Sequence, residues 1–186
     1  MKRKRMKQQM RMYIRSIGAA ILAIVFISNY AVVKASDQTD VRATVQNVFE
    51  QLKARNYDAL YDFLPGASRN RMSRDRFVNA LQRAQDFYQL DHMEIGAIKV
   101  MGNLAVVDTA LYGRVVNPIQ AEGKIVAQQY LLREDGKWRV ATGDQSTVRK
   151  FLAANPGFSK QFKIQQPRVY VKQGDKWVEF NPGNRR

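Results

Sequence analysis

The chain has 186 residues, with 31 Lys and Arg against 16 Asp and Glu, a formal charge of +15. That length holds one domain with short attachments, and 45% hydrophobic with 25% charged residues is a globular balance. The absence of cysteine and a single histidine exclude a disulfide scaffold, a thiol nucleophile, a zinc finger and a multi-histidine metal site.

The charge is concentrated at the start. Residues 1–35 carry eight basic side chains and no acid, seven of them before the apolar run Ile17 to Ile27. Removing those eight leaves 23 basic against 16 acidic side chains, a net of +7. Basic residues ahead of an apolar run describe a signal peptide or signal anchor, with the N-terminus held in the cytoplasm and the remainder exported. The uncharged stretch 16–33 is 18 residues, which as a helix reaches about 27 Å, just short of a bilayer core. Cleavage after Ala35 frees the domain; without cleavage, residues 16–33 form a transmembrane helix that anchors it. Either outcome places the body on the periplasmic or extracellular side, as a bacterial envelope or secreted protein.

Val41, Val45, Val48, Phe49 and Leu52 form the apolar stripe of a first helix. Asn56 caps a second helix, Tyr57 to Leu64, which Pro65-Gly66 stops. Ser73 caps a third, with Asp75 in its first turn and Phe77, Leu81, Ala84 and Tyr88 on one face. Beyond His92 the period falls to two, giving strands Met93 to Val100, Leu104 to Val116, Lys124 to Arg133 and Lys137 to Thr142. Met101-Gly102-Asn103 and Glu134-Asp135-Gly136 are tight turns, and Asn117-Pro118 separates the second strand from the third. Asp144 or Ser146 caps a last helix that ends at Asn155-Pro156-Gly157. The tail adds a hairpin of Arg168 to Lys172 and Lys176 to Phe180. Helices followed by an antiparallel meander predict an α+β domain over residues 36–155, with a C-terminal extension at 156–186.

This order of elements, the segment Asn56-Tyr57-Asp58-Ala59-Leu60-Tyr61 and the strand Gly136-Lys137-Trp138-Arg139-Val140 resemble the nuclear transport factor 2-like superfamily, also called ketosteroid-isomerase-like, over roughly residues 40–145. The resemblance implies a cone of cystatin-like type, with N-terminal helices packed on a curved antiparallel sheet. It also implies a protein partner or homodimer through the sheet face. Members include isomerases, hydratases, ligand binders and dimerising modules, so fold alone does not choose among them. The isomerase members stabilise an enolate with a tyrosine on helix one; the stripe here is wholly apolar.

Alternation on the second strand puts Asp108 and Tyr112 on one face with Leu104, Val106, Ala110 and Arg114. If that face looks into the cone, Asp108 becomes a desolvated acid or base beside Tyr112. Gln128 and Tyr130 on the third strand complete such a pocket. If the face meets solvent, Asp108 is a structural partner of Arg114 or a neighbouring cation. Arg69, Arg71, Arg74 and Arg76 gather four cations in eight residues. They form either an anion-binding patch for phosphate polymers or lipid headgroups, joined by the basic tail Lys160, Lys163, Arg168, Lys172, Arg185 and Arg186, or a solvated loop and helix start. His92 reads as a capping or surface residue rather than a base. No phosphate loop, nucleophile elbow or metal-spaced acid pair appears, so no cofactor, no metal and no specific nucleic acid are expected. The functional expectation is a non-catalytic binding or interaction domain. Two alternatives stand beside it: a small-molecule binder or isomerase-like enzyme with an interior pocket, and an anionic-polymer binder.

Overall fold

The structure is a computed structural model that describes residues 36–116, 120–141 and 145–180. The chain divides into two units, Met1–Asp37 and Gln38–Arg186, and the second contains the sheet and the helices packed on it. Residues 1–35, where the signal or anchor is expected, lie outside the described residues, as does Asn117-Pro118. Among the described residues no helix is long and apolar enough to cross a membrane. For the described residues this corrects the expectation of a transmembrane helix; the expected span, 16–33, lies outside them.

Residues 36–53 are helical (α1). Val41 and Val45 are buried, so the valine stripe is the packed face, and each buried valine contributes roughly 1.5–3 kcal/mol. α1 ends where Asn56 N–H reaches the Gln51 carbonyl and Arg55 turns left-handed, φ 60°, a helix stop that glycine usually supplies. α2 (Tyr57–Tyr61) is short. Pro65 then opens a one-turn helix, α3 (Gly66–Arg69), rather than ending helical structure; its fixed φ suits a helix start as well as a stop. α4 (Arg74–Ala84) is capped by the Ser73 side chain, which accepts from Arg76 N–H. A 3₁₀ turn, Gln85–Phe87, leads into the sheet, so Tyr88 begins a strand instead of sharing the helix face.

β1 (Tyr88–Met101), β2 (Leu104–Val115), β3 (Ala121–Glu134), β4 (Lys137–Val140), β5 (Arg168–Gln173) and β6 (Lys176–Glu179) make one antiparallel sheet in the order β1-β2-β3-β5-β6, with β4 also on β3. A register shift between Ile95 and Ile98 lets Met93, Ile95, Ile98 and Val100 all pack on α1's side, despite odd numbers before it and even numbers after. The Asp135-Gly136 turn has both residues at positive φ, 50° and 73°, as a two-residue hairpin of this twist requires.

Both faces of the sheet are covered in part, over β2 and β3. On one, α1 packs Val41 and Val45 against Ala105, Val107, Leu131, Trp138 and Val140. On the other, α5 (Gln145–Ala154) and α6 (Pro156–Gln161) bring Phe151 and Phe158 onto Val106 and Tyr130. Asn155-Pro156 therefore breaks one helix and starts another, with Pro156 in its first turn. The cap of α5 lies at the edge of residues 142–144, outside the described residues.

Candidate functional site

The face reaching α1 is Ala105, Val107, Thr109 and Leu111; Asp108 and Tyr112 point to the other. The alternation is legible in the sequence; of the two sides it leaves open, the one carrying Asp108 lies under the C-terminal helices rather than against α1. β2 is apolar on both sides, and the C-terminal helices claim the Val106 face.

Between α1, α2, α4 and the sheet lies a cavity of about 420 Å³. Its walls include Val45, Phe49, Leu60, Phe77, Leu81 and Leu111, and its polar lining is Ser68 and Gln129. Gln129 is itself committed, donating to the Thr109 hydroxyl (3.2 Å), which in turn donates to the Ala127 carbonyl (3.0 Å). Among the described residues no titratable side chain lines this cavity, so the Ser68 hydroxyl has no general acid or base beside it there.

Asp108, Gln128 and Tyr130 do meet, on the opposite face. The buried Gln128 amide donates to Asp108 Oδ1 (3.0 Å) and to the Lys163 carbonyl (3.2 Å). Its carbonyl accepts from the Tyr130 hydroxyl (2.9 Å) and from Gln165 N–H (2.9 Å). All four hydrogen-bonding positions of the amide are therefore used. Burial, and then the Asp108 charge, push the Tyr130 phenol above its ordinary 10.0. The cluster is a clamp that fastens residues 163–165 to the sheet. Sequence reading found its three sheet residues but not the strap, since Lys163 and Gln165 meet β3 only through tertiary contact.

Tyr112 belongs to a different cluster. Its ring stacks on His92, 4.3 Å apart and 7° from parallel, and meets Trp177 edge-on at 5.9 Å. Its hydroxyl donates to Glu94 (3.1 Å), and His92 Nδ1 bonds Asp91 (2.8 Å). His92 lies inside β1, not at a helix junction.

The arginine quartet is not a uniform patch. Arg74 turns onto Asp62 (2.6 Å) and Asp58 (3.3 Å), with its guanidinium 4.6 Å over the Tyr61 ring. Arg74 holds the Asp62 carboxyl below its ordinary 3.8, chiefly through their hydrogen bond. Arg69 is half-buried, and its carbonyl accepts from the Tyr61 hydroxyl (3.0 Å). Arg71 and Arg76 are exposed. Among the described residues no cluster of three or more His, Asp or Glu has the spacing of a metal site.

No protein-family model matches the chain, and no curated protein matches it. Among solved structures it is similar to a SEC-C motif containing protein from Rhodopseudomonas palustris, known in solution. The identity is 10%, the match covers 55% of this chain and 75% of that one, and the TM-score is 0.45. The architecture itself is α+β, helices on a six-stranded antiparallel sheet.

Proposed function

We propose that this domain is a non-catalytic binding module whose helix-side cavity takes a small apolar ligand. One observation carries the reading: a cavity of about 420 Å³ whose polar lining is one serine and one hydrogen-bonded glutamine. A volume of that order suits a small molecule, and walls of Val, Leu, Phe and Met give binding energy with nothing to transform the ligand. Of the enzyme alternative's four candidate groups, Asp108, Gln128 and Tyr130 are hydrogen-bonded in the clamp on residues 163–165, and Tyr112 lies in a separate cluster. The nuclear transport factor 2-like cone belongs to the same proposal. Its support is the run of helices before the meander and the packing of α1 on residues of β1, β2, β3 and β4. Export of the domain rests on the charge and apolar order of residues 1–35 alone.

Fluorescence of N-phenyl-1-naphthylamine with the full chain tests the cavity. Enhancement should saturate, and Ala80→Phe, which adds bulk to the wall, should abolish it while the thermal melt stays cooperative. Unaltered enhancement in that variant refutes the reading. Partnering with a second copy is supported by Ile125, Val169 and Val178 on neighbouring strands and Phe180 just past β6, which are 39–47% exposed. Sedimentation velocity should then show a dimer that Val169→Lys dissociates.

A further inference from the structure

On the sheet face away from α1, aromatic side chains gather beyond the reach of the Phe151–Phe158 core. Tyr112 on β2, Lys124 on β3 and Tyr170 on β5 are direct cross-strand neighbours, and Trp177 on β6 lies beside them. Lys124 Nζ sits 5.6, 5.1 and 4.9 Å from the Tyr112, Tyr170 and Trp177 ring centres. Next to this group is a cleft of about 510 Å³. Tyr112, His92 and Trp177 form its ring-bearing walls; Gln89, Arg114 and Glu122 are among its polar ones. Lys124 and Tyr170 do not line it, so Lys124 steadies two of the wall rings without filling the space between the walls.

We propose that this cleft is a carbohydrate site, taking an oligosaccharide of gluco-configured pyranoses. Such a sugar has a flat C–H face, which an aromatic ring covers, and an equatorial rim of hydroxyls, which donate and accept at once. The cleft supplies both kinds of surface. Its rings are already ordered: Tyr112 is held by Glu94 and the His92 stack, His92 by Asp91, and Glu122 by Lys172 at 2.7 Å. Little ordering entropy is left for binding to remove. Rings interleaved with cations on a sheet also describe a single-strand nucleic-acid platform. The charges here favour the sugar, because Asp91, Glu94 and Glu122 sit in or against the cleft and oppose a phosphodiester as much as Arg114, Lys124 and Lys172 attract it.

The test is a titration of the full chain with chitotriose and cellotriose, followed by amide NMR and tryptophan fluorescence. Trp138 is buried in the core, so a fluorescence change reports Trp177. The expected result is saturable binding of at least one trisaccharide, with shifts at Gln89–His92, Tyr112–Arg114, Glu122–Gly123 and the Trp177 indole, and little dependence on salt. Trp177→Ala should weaken it by about tenfold or more. Arg114→Ala, which leaves the β5–β6 hairpin intact, should weaken it too. Silence towards both sugars at about 10 mM, the weak limit of useful affinity, overturns the proposal. So do shifts confined to the helix-side cavity, or binding of a dT12 oligonucleotide at these residues that collapses as salt rises. A failure here leaves the naphthylamine result untouched, since the two sites lie on opposite faces.

Discussion

Replacing Gln128 by leucine keeps the side chain's bulk and deletes the four hydrogen bonds that join Asp108, Tyr130, Lys163 and Gln165. The Lys163 carbonyl and Gln165 N–H can turn to water if the strap lifts, so each loses about 1 kcal/mol of net bonding. The Tyr130 hydroxyl, on a residue 3% exposed, and the Asp108 carboxylate each lose one further bond of about 1 kcal/mol. The leucine recovers part of this through its own burial. The expected loss is about 3 kcal/mol, a fall in Tm of roughly 6–12 °C for a domain this size. Urea unfolding followed by far-UV circular dichroism gives the first number, and hydrogen exchange at Gln165 N–H locates the change. Tyr130→Phe should cost only about 1 kcal/mol, because the Gln128 carbonyl keeps its bond from Gln165. A Gln128→Leu loss below about 1 kcal/mol, with Gln165 still protected, refutes the clamp.

Three further outcomes rest on single features. Arg55 is left-handed at φ 60°, so Arg55→Gly relieves strain of about 1 kcal/mol against a smaller gain in unfolded-chain entropy, and the melting temperature should rise slightly; a fall contradicts the helix-stop geometry. Phe158 is fully buried and packs edge-on against Phe151 (5.8 Å) and Phe162 (4.7 Å), so Phe158→Ala should cost about 3–5 kcal/mol by chemical denaturation. The Asp62 carboxyl titrates below its ordinary 3.8 because Arg74 binds its charged form. Its contribution is therefore complete above about 3.8 and is lost as the pH falls through the lower folded value. Arg74→Met should flatten the acid limb of stability below about pH 3.8 in urea melts, an effect kept small by the exposure of the pair.

Local chemistry was enough to read much of the architecture. Ser73 caps a helix because its hydroxyl can reach a free N–H, whatever surrounds it. Asp135-Gly136 turns a hairpin because both residues tolerate positive φ. The Val41–Val45–Phe49 stripe buries one helix face because its spacing matches the helical repeat. Each is decided within a few residues. The bulge between Ile95 and Ile98 was less legible, since a slip in a period of two looks like an ordinary break in the pattern.

The candidate site was legible as a set of residues and not as a place. Alternation on β2 yields two faces, Val106-Asp108 and Val107-Thr109, both apolar enough to be buried. On a sheet covered from both sides nothing local tells which face meets which layer. That choice is made by Phe151 and Phe158, some forty residues downstream, and by the strap that Gln128 fastens. The ring cluster depends on β5 crossing back to β3, which sets Tyr170 beside Lys124 although they are 46 positions apart. Sequence by itself determined the first helix stripe, the Ser73 cap, the tight turns and the two sides of β2 and β3, because these depend on neighbouring residues. Tertiary packing alone decided which side is interior and which polar groups meet, because burial is a property of what the distant chain lays on top.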